Sequence, residues 1–311
     1  MGMRRNPEEL FELSPAAPDI SAAPMMLYLE GFIDAGNAGR LLAEHLLSAS
    51  SHETIARFDV DRLIDYRSRR PLMTYDNNRW ESYDPPELAL HLLRDAAERP
   101  FLLLTGPEPD HEWDLFTEAV LAIATRLGAG PAISFLGIPA GMPHTRPLGV
   151  IAHATREELM TSYQRLPSRI QVPGSAPALI ELRFGEAGRD ALGFAVQVPH
   201  YLAQAVYPPA ALALLDAMAT STSLDLPHAD LREASERTNE AIERQVAESA
   251  EVGELVRALE QQYDTVTAEA EENPVSGLLA EGEAMPTADE LAAQFERFLA
   301  ENQDRSDPPE L

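Results

Sequence analysis

The sequence predicts a three-layer α/β/α sandwich on a mixed but mainly parallel sheet, followed by a helical C-terminal extension. Apolar runs typical of buried strands are centred near residues 26, 57, 103, 135, 150, 181 and 195. Amphipathic helical patterns stand between several of these runs, and this alternation is typical of a parallel sheet. Apolar residues make up 45% of the 311 residues, which is enough for a large core.

The composition excludes several kinds of chemistry. The formal net charge is −27, and such a surface repels nucleic acid and anionic membranes, because phosphate binding requires clustered cations. Every basic residue is arginine, so no phosphate-binding lysine and no Schiff base can form. Cysteine is absent, which excludes thiolate nucleophiles, disulfides and cysteine-based metal sites. No H-x-x-x-H pair is present either, and we expect neither a metal nor a cofactor.

The sequence also predicts a cytoplasmic location. No window approaches 18 uninterrupted apolar residues, so no membrane span is expected. The N-terminal segment, MGMRRNPEELFEL, lacks the apolar stretch of a secretory signal.

The first third of the chain reads as the opening unit of an α/β sheet. Asn6 and Pro7 predict a short helix start, and residues 24–30 predict a buried strand. The glycine-containing loop GFIDAGNAG follows, and a helix is predicted over residues 38–49. The backbone N–H groups at that helix start, near Gly36, suit an anion, although close packing of the glycines is the favoured interpretation.

A strand over residues 54–60 leads into the only local basic patch. Four arginines occupy nine positions there, and three of them, Arg67, Arg69 and Arg70, are candidate interface residues. Such arginines bind carboxylate or phosphate groups, or pair with neighbouring acids or another subunit. We favour pairing and an interface role. Residues 72–83 predict a short hairpin, and residues 87–93 are ambiguous between strand and helix.

Acidic side chains follow two of the predicted strands. Glu30 and Asp34 come after the first strand, and Glu108 and Asp110 come after the strand at residues 101–105 and precede a helix over residues 111–127. The carboxyl ends of parallel strands are where ligands bind in open sheets. A ligand site and simple capping of the helix are both open interpretations of these acids.

A proline-rich loop between apolar runs at residues 132–138 and 148–152 supplies a third group. It displays His144, Thr145 and Arg146, which would complete a pocket of acid, imidazole and guanidinium if the sheet edge brings the groups together. The prolines fix the backbone and no nucleophile motif is present, so a scaffold role is favoured over catalysis.

The rest of the chain contains further elements and a change of composition. Strands are predicted over residues 178–184 and 191–198, and a helix over residues 209–219. The predicted organisation is a core over residues 1–228, a helical extension over 229–264, an acidic flexible linker over 265–286, and a short amphipathic helix with a disordered tail over 287–311. The last helix carries the interface candidates Leu291, Phe295 and Phe298.

Several blocks of the chain together resemble an actinobacterial member of the proteasome assembly chaperone two family. They are GFIDAGNAG, DYRSRRP, GIPAGMPHTRP, AHATR, VPHYLAQAVYPPAA (which contains Tyr201, a further interface candidate) and LEQQYD. The resemblance implies an α/β/α fold similar to purine nucleoside phosphorylases, and it implies homo-oligomers. The eukaryotic namesake assists assembly of proteasome α-rings through a C-terminal tail with a penultimate tyrosine. This chain has Glu310 at that position.

Two functional hypotheses follow. The first is a non-enzymatic protein-binding or assembly factor with a protein partner such as a proteasome component. The alternative is a nucleoside- or phosphate-binding enzyme, similar to a phosphorylase or hydrolase, with its pocket at the carboxyl edge of the sheet.

Overall fold

A computed structural model describes residues 6–15, 17–18, 20–31, 33–160, 163, 169 and 171–272. Its strands are β1 (Phe11–Leu13), β2 (Met25–Glu30), β3 (His52–Phe58), β4 (Met73–Asp76), β5 (Arg79–Tyr83), β6 (Ala89–Arg94), β7 (Pro100–Pro107), β8 (Ala132–Ala140), β9 (Val150–Ala154) and β10 (Ala191–Pro199). Its α-helices are α1 (Ala38–Ala49), α2 (Val60–Leu63), α3 (Trp113–Arg126), α4 (Ala176–Glu186), α5 (Pro208–Thr222), α6 (Ala229–Glu248) and α7 (Ala250–Glu272). The chain divides into two compact units, residues 1–256 and 257–311.

Eight strands form one mixed sheet in the order β1-β3-β6-β7-β2-β8-β10-β9. Its centre is parallel: β2 lies between β7 and β8, and β8 also pairs with β10. Antiparallel strands flank this centre on both sides. The carboxyl ends of β7, β2, β8 and β10 therefore meet at one edge of the sheet, where the polar residues that follow them are brought together.

Helices cover both faces of the sheet and give the predicted three layers. On one face, α3 and α4 bury Phe116, Val120 and Phe184 against the sheet. On the other face, α1 and α5 bury their apolar stripes, and α6 adds Leu231 to the same core. The central strands are covered on both sides, which explains why they read in the sequence as continuous apolar runs.

One predicted strand is wrong. Residues 178–184 belong to helix α4, because Ser175 caps the helix start by accepting a hydrogen bond from the Ala178 N–H group, and Pro177 stands in the first turn. Ala176, Ile180 and Phe184 recur every four residues and are all buried. A short apolar run fits both periods, and the cap and the proline select the helix.

Other elements refine the sequence interpretation. The ambiguous residues 87–93 fall largely in strand β6, and the predicted N-terminal helix is a single 3₁₀ turn, Pro7–Leu10. Helix α7 continues to Glu272, beyond the predicted start of the acidic linker. The remainder of that linker and the predicted terminal helix, with Leu291, Phe295 and Phe298, lie outside the described residues. None of the described helices combines the length and apolar character needed to cross a membrane.

Candidate functional site

An open cavity of about 780 Å³ lies at the carboxyl ends of β2 and β7. Helix α1 forms one wall, and the segments before and after the β4–β5 hairpin form another. The polar side chains that line it are those of Tyr28, Glu30, Asp34, Asn37, Arg40, Glu44, Arg69, Glu87 and Thr105. The sheet edge thus brings together two of the predicted acids and one of the predicted arginines.

Asp34 is the most constrained acid of this cavity. Its Oδ1 atom accepts hydrogen bonds from the Gly39 N–H group at 2.8 Å and the Gly137 N–H group at 3.0 Å. Its Oδ2 atom accepts from the Arg40 N–H group at 3.0 Å and from the Tyr28 hydroxyl at 3.4 Å. One carboxylate therefore joins the start of α1 to strand β8, which lies about 100 residues away in the chain.

Two neighbours keep this arrangement in place. A Cβ atom at Gly137 would collide with the carbonyl oxygen of Ala35, so only glycine lets the loop lie against β8. Burial raises the pKa of Tyr28, and the charge of Asp34 raises it further. The phenol is therefore protonated at neutral pH and remains a hydrogen-bond donor to Asp34.

Gly36 joins the same loop to the segment that follows β10. Its φ of 69° lies in the left-handed region, its N–H group donates to the Ala203 carbonyl at 2.7 Å, and its carbonyl accepts from the Tyr207 N–H group at 2.9 Å. The bond to Ala203 uses the N–H group that an anion would need, so the contacts of this glycine favour close packing.

Arg69 organises the acids that follow β7. Its Nη1 atom donates to the backbone carbonyls of Glu108 at 2.8 Å and Glu30 at 3.3 Å, and its Nη2 atom donates to Asp110 Oδ1 at 3.1 Å. The other oxygen of Asp110 accepts from the Asp65 N–H group at 2.8 Å. Arg69, an interface candidate in the sequence, thus fixes the segment in which it lies to two strand ends.

Glu108 is buried and serves the opposite helix layer. Its Oε1 atom accepts a 2.6 Å hydrogen bond from the N–H group of Ala176, the first residue of α4. A carboxylate at this position satisfies an N–H group that the helix leaves unpaired and complements the helix dipole. Arg67 and Arg70, in contrast, are exposed.

His144, from the proline-rich loop after β8, contacts Tyr201, which follows β10. The Tyr201 hydroxyl accepts a hydrogen bond from the backbone N–H of His144 at 2.8 Å and lies 2.7 Å from His144 Nδ1. The rings meet edge to face. His144, Thr145 and Arg146 are not among the described residues that line the cavity. The edge therefore holds the acids and the imidazole in two places instead of one pocket.

The remaining charges of the cavity are largely paired. Glu44 bonds Arg40 at 3.2 Å, and Glu87 bonds Arg57 at 2.9 Å. Within the described part of the chain, no group of three His, Asp or Glu side chains is placed to hold a metal ion. Sequence reasoning missed Arg40 and Tyr28, whose only signal is their position beside the predicted loop. The geometry supports a structural use of the conspicuous acids.

A second, smaller cavity of about 340 Å³ lies between edge strand β9 and helix α4. His153 Nδ1 lies 2.8 Å from Glu181 Oε2, and the His153 side chain is about half exposed. Burial lowers the pKa of His153, but the hydrogen bond and charge of Glu181 outweigh burial and raise it overall. This pair links the edge of the sheet to the helix layer.

Comparisons with known proteins agree with the fold. A sequence profile described as the PAC2 family matches residues 28–246. A Mycobacterium tuberculosis protein of unknown function is 46% identical, with 86% of this chain and 92% of that chain covered and a TM-score of 0.80. A Corynebacterium glutamicum protein of unknown function is 38% identical, with 82% and 97% covered and a TM-score of 0.78. No curated protein sequence matches the chain.

A third solved structure carries a functional title. It is a Mycobacterium tuberculosis proteasome-assembly chaperone homologue, 26% identical over 75% of this chain and 99% of that chain, with a TM-score of 0.69.

Substitution of Asp34 tests its structural role. We expect Asp34→Ala to lower the free energy of unfolding by about 3 kcal/mol, because it leaves the N–H groups of Gly39, Arg40 and Gly137 without their acceptor. Asp34→Asn keeps one oxygen and should lose about half as much. The control is Glu30→Gln, at an exposed carboxylate, with an effect below about 0.5 kcal/mol. Urea unfolding followed by circular dichroism measures all three, and equal stability of Asp34→Ala and the control would contradict the assignment.

The His153–Glu181 pair predicts a pH-dependent contribution to stability. A pKa raised by folding stabilises the protein fully below the unfolded value of 6.5, and the gain is lost as pH rises through the folded pKa. His153→Gln should therefore destabilise the protein near pH 5.5, by no more than about 1 kcal/mol because the half-exposed His153 side chain is screened by water, and have little effect near pH 9. Glu181→Gln should reproduce this profile in urea unfolding at the two pH values. A loss for His153→Gln that is the same at both would show that the pair contributes no charge interaction.

Proposed function

Because the chain belongs to the PAC2 family, we propose that it is a non-enzymatic assembly factor. It acts in the cytoplasm by binding other proteins, a proteasome component among them, and it associates with itself. The solved relative that is titled a proteasome-assembly chaperone homologue supports this choice of partner, since it aligns with three quarters of this chain.

The observation that carries the proposal is the use of the acids at the carboxyl edge. Asp34 accepts four hydrogen bonds, and three of them come from backbone N–H groups that hold the fold together. Glu108 is occupied by the start of α4, and Asp110 by Arg69 and a backbone N–H group. A general acid or base must exchange a proton with a substrate, and these carboxylates are already held by structural donors. The edge supports a rigid scaffold better than a reaction centre.

Purification from the native host tests the proposed partner. We expect the affinity-tagged full chain to recover proteasome subunits in stoichiometric amounts, because a factor that assists assembly binds its client before release. Purified proteasome subunits should also assemble faster, on native gels, when the chain is added. A tagged acidic protein of similar charge serves as the control. Recovery of the chain without proteasome subunits, together with unchanged assembly, would contradict the choice of partner.

The cavity itself supports a second candidate function, the binding of a nucleoside or a phosphorylated ligand. Its volume of about 780 Å³ lies in the range of small-molecule sites, and it occupies the carboxyl edge of parallel strands. Arg40, in the first turn of α1, is the lining cation on this wall, and its guanidinium, which pairs with Glu44 at 3.2 Å, is the kind of group that binds an anion.

Thermal unfolding with ligands distinguishes this second function. If it holds, millimolar nucleosides, phosphate or sugar phosphates raise the melting temperature by a few degrees, as expected for a ligand at about ten times its Kd. The shift should disappear in Arg40→Ala and persist in Arg146→Ala, which lies away from the lining residues. No shift with any of these compounds would exclude the second function.

A further inference from the structure

The large cavity at the carboxyl ends of β2 and β7 has an excess of negative charge. Four carboxylates and two guanidinium groups line it, which gives a net formal charge of −2. These ions belong to Glu30, Asp34, Glu44, Glu87, Arg40 and Arg69. Two ion partners outside the lining, Asp110 and Arg57, add one charge of each sign and leave this balance unchanged. The cavity therefore attracts cations, as does the whole chain with its net charge of −27.

The guanidinium groups of the cavity wall are already engaged within the chain. Arg40 donates through Nε to Asn37 Oδ1 at 3.4 Å and through Nη1 to Glu44 Oε1 at 3.2 Å. Arg69 uses both of its terminal nitrogens, on backbone carbonyls at two strand ends and on Asp110. A phosphate group would have to compete with these acceptors for the same two guanidinium groups.

Two acceptors of the same wall are still available. Within the described part of the chain, the Glu30 carboxylate accepts no hydrogen bond and forms no ion pair, and the residue is exposed. The Tyr28 hydroxyl donates to Asp34, and its oxygen can accept a further bond. Burial and the charge of Asp34 raise the pKa of Tyr28 most, and the charge of Glu30 adds to them, so phenol and carboxylate are close. A group with N–H donors and a positive charge complements them.

The rest of the lining is mainly apolar and suits a hydrocarbon stem. Its apolar members are Leu29, Ile33, Ala43, Leu47, Pro86 and Pro107. An alkyl chain that ends in a cation buries its stem along such a surface and keeps its head at a carboxylate. The cavity volume of about 780 Å³ accommodates a ligand of small-molecule size or a basic side chain with part of its main chain.

We propose that this cavity binds an organic cation, an alkylammonium or alkylguanidinium group, with the Glu30 carboxylate as its charge partner and the Tyr28 oxygen as a second acceptor. A free amine and a lysine or arginine side chain of a protein partner supply the same chemistry. The inference rests on the second candidate function in taking the cavity as a ligand site. It assigns that ligand a charge opposite to that of a phosphate.

Titration of the ¹⁵N-labelled full chain, followed by NMR at constant ionic strength, tests the assignment. The probe is butylguanidinium, and its uncharged isostere butylurea is the control ligand. Butylguanidinium should shift the backbone amide signals of Gly31 and Gly106, which both line the cavity. Butylurea should bind at least about tenfold more weakly, because it lacks the charge that a charge-assisted hydrogen bond requires.

A matched pair of variants separates the site from the general acidity of the chain. Glu30→Gln should weaken butylguanidinium binding about tenfold, since it removes the charge partner and keeps the size of the side chain. The control Glu118→Gln removes the same charge from an exposed carboxylate on α3, away from the cavity, and should leave binding unchanged. Equal binding by the two variants, or equal binding of butylurea and butylguanidinium, would overturn the proposal.

Inorganic phosphate is the third probe, and it separates this inference from the second candidate function. Shifts of the lining amides with phosphate, and none with butylguanidinium, overturn the organic cation and leave that function standing. If neither compound nor any nucleoside shifts these signals, the cavity is not a ligand site and both ideas fail.

Two further cations identify the source of the group. Spermidine represents a free amine, and an acetylated and amidated tripeptide with a central arginine represents a protein side chain. Tighter binding of the tripeptide than of spermidine assigns the cavity to a protein partner, and the reverse order assigns it to a small amine. Both orders support the cation, and failure of both compounds to shift the lining amides would contradict it.

Discussion

The carboxylate of Asp34 is the contact on which the arrangement of the parallel centre depends. It accepts N–H groups from the first turn of α1 and from the middle of β8, together with the Tyr28 hydroxyl at the end of β2. Two neighbouring elements, β2 and α1, therefore share one pair of oxygen atoms with β8, whose Gly137 lies 103 residues from Asp34. A hydrogen bond to a charged acceptor contributes more than a neutral one, and three N–H groups would lose their partner together if it were removed. The loop over β8 is fixed by this contact and by the absence of a side chain at Gly137.

Charged side chains at the end of the neighbouring strand β7 also hold elements of the fold together. Glu108 holds the start of α4, and Arg69 joins two backbone carbonyls to Asp110. In a chain with 51 acidic residues, most carboxylates lie on the surface and repel one another. At the strand ends, Asp34, Glu108 and Asp110 accept hydrogen bonds from backbone N–H groups instead, and these groups supply the local positive charge that a buried or half-buried carboxylate requires. The edge most typical of ligand binding in this fold class is thereby used for joining layers.

The sequence predicted the sandwich, most of its elements and the strand ends at which the conspicuous acids lie. It did so because central strands are apolar throughout and helices carry a periodic stripe, both of which are local properties. The strand prediction for residues 178–184 was wrong because their apolar run fits both the strand period and the helix period. The cap at Ser175, which decides for the helix, lies outside that run. The roles of Asp34 and Arg69 were not predictable, since their partners Gly137 and Glu108 are respectively 103 and 39 residues away along the chain. A partner that lies so far along the chain cannot be identified from the pattern of residue types around Asp34 or Arg69.

The cavity and the β4–β5 hairpin differ in the exposure of their side chains to solvent, and this difference bears on function. At the cavity, Arg40 already pairs with Glu44 and Glu87 with Arg57, so these charged groups have partners within the chain. On the β4–β5 hairpin, Trp80 is 65% exposed and Tyr75 is 58% exposed. Free energy that is gained by removing aromatic surface from water is available only where that surface is still wet in the isolated chain. The exposed aromatic side chains of the described residues, Tyr75, Trp80 and Tyr83, lie on the β4–β5 hairpin. This distribution favours contact with another protein surface over the enclosure of a small molecule.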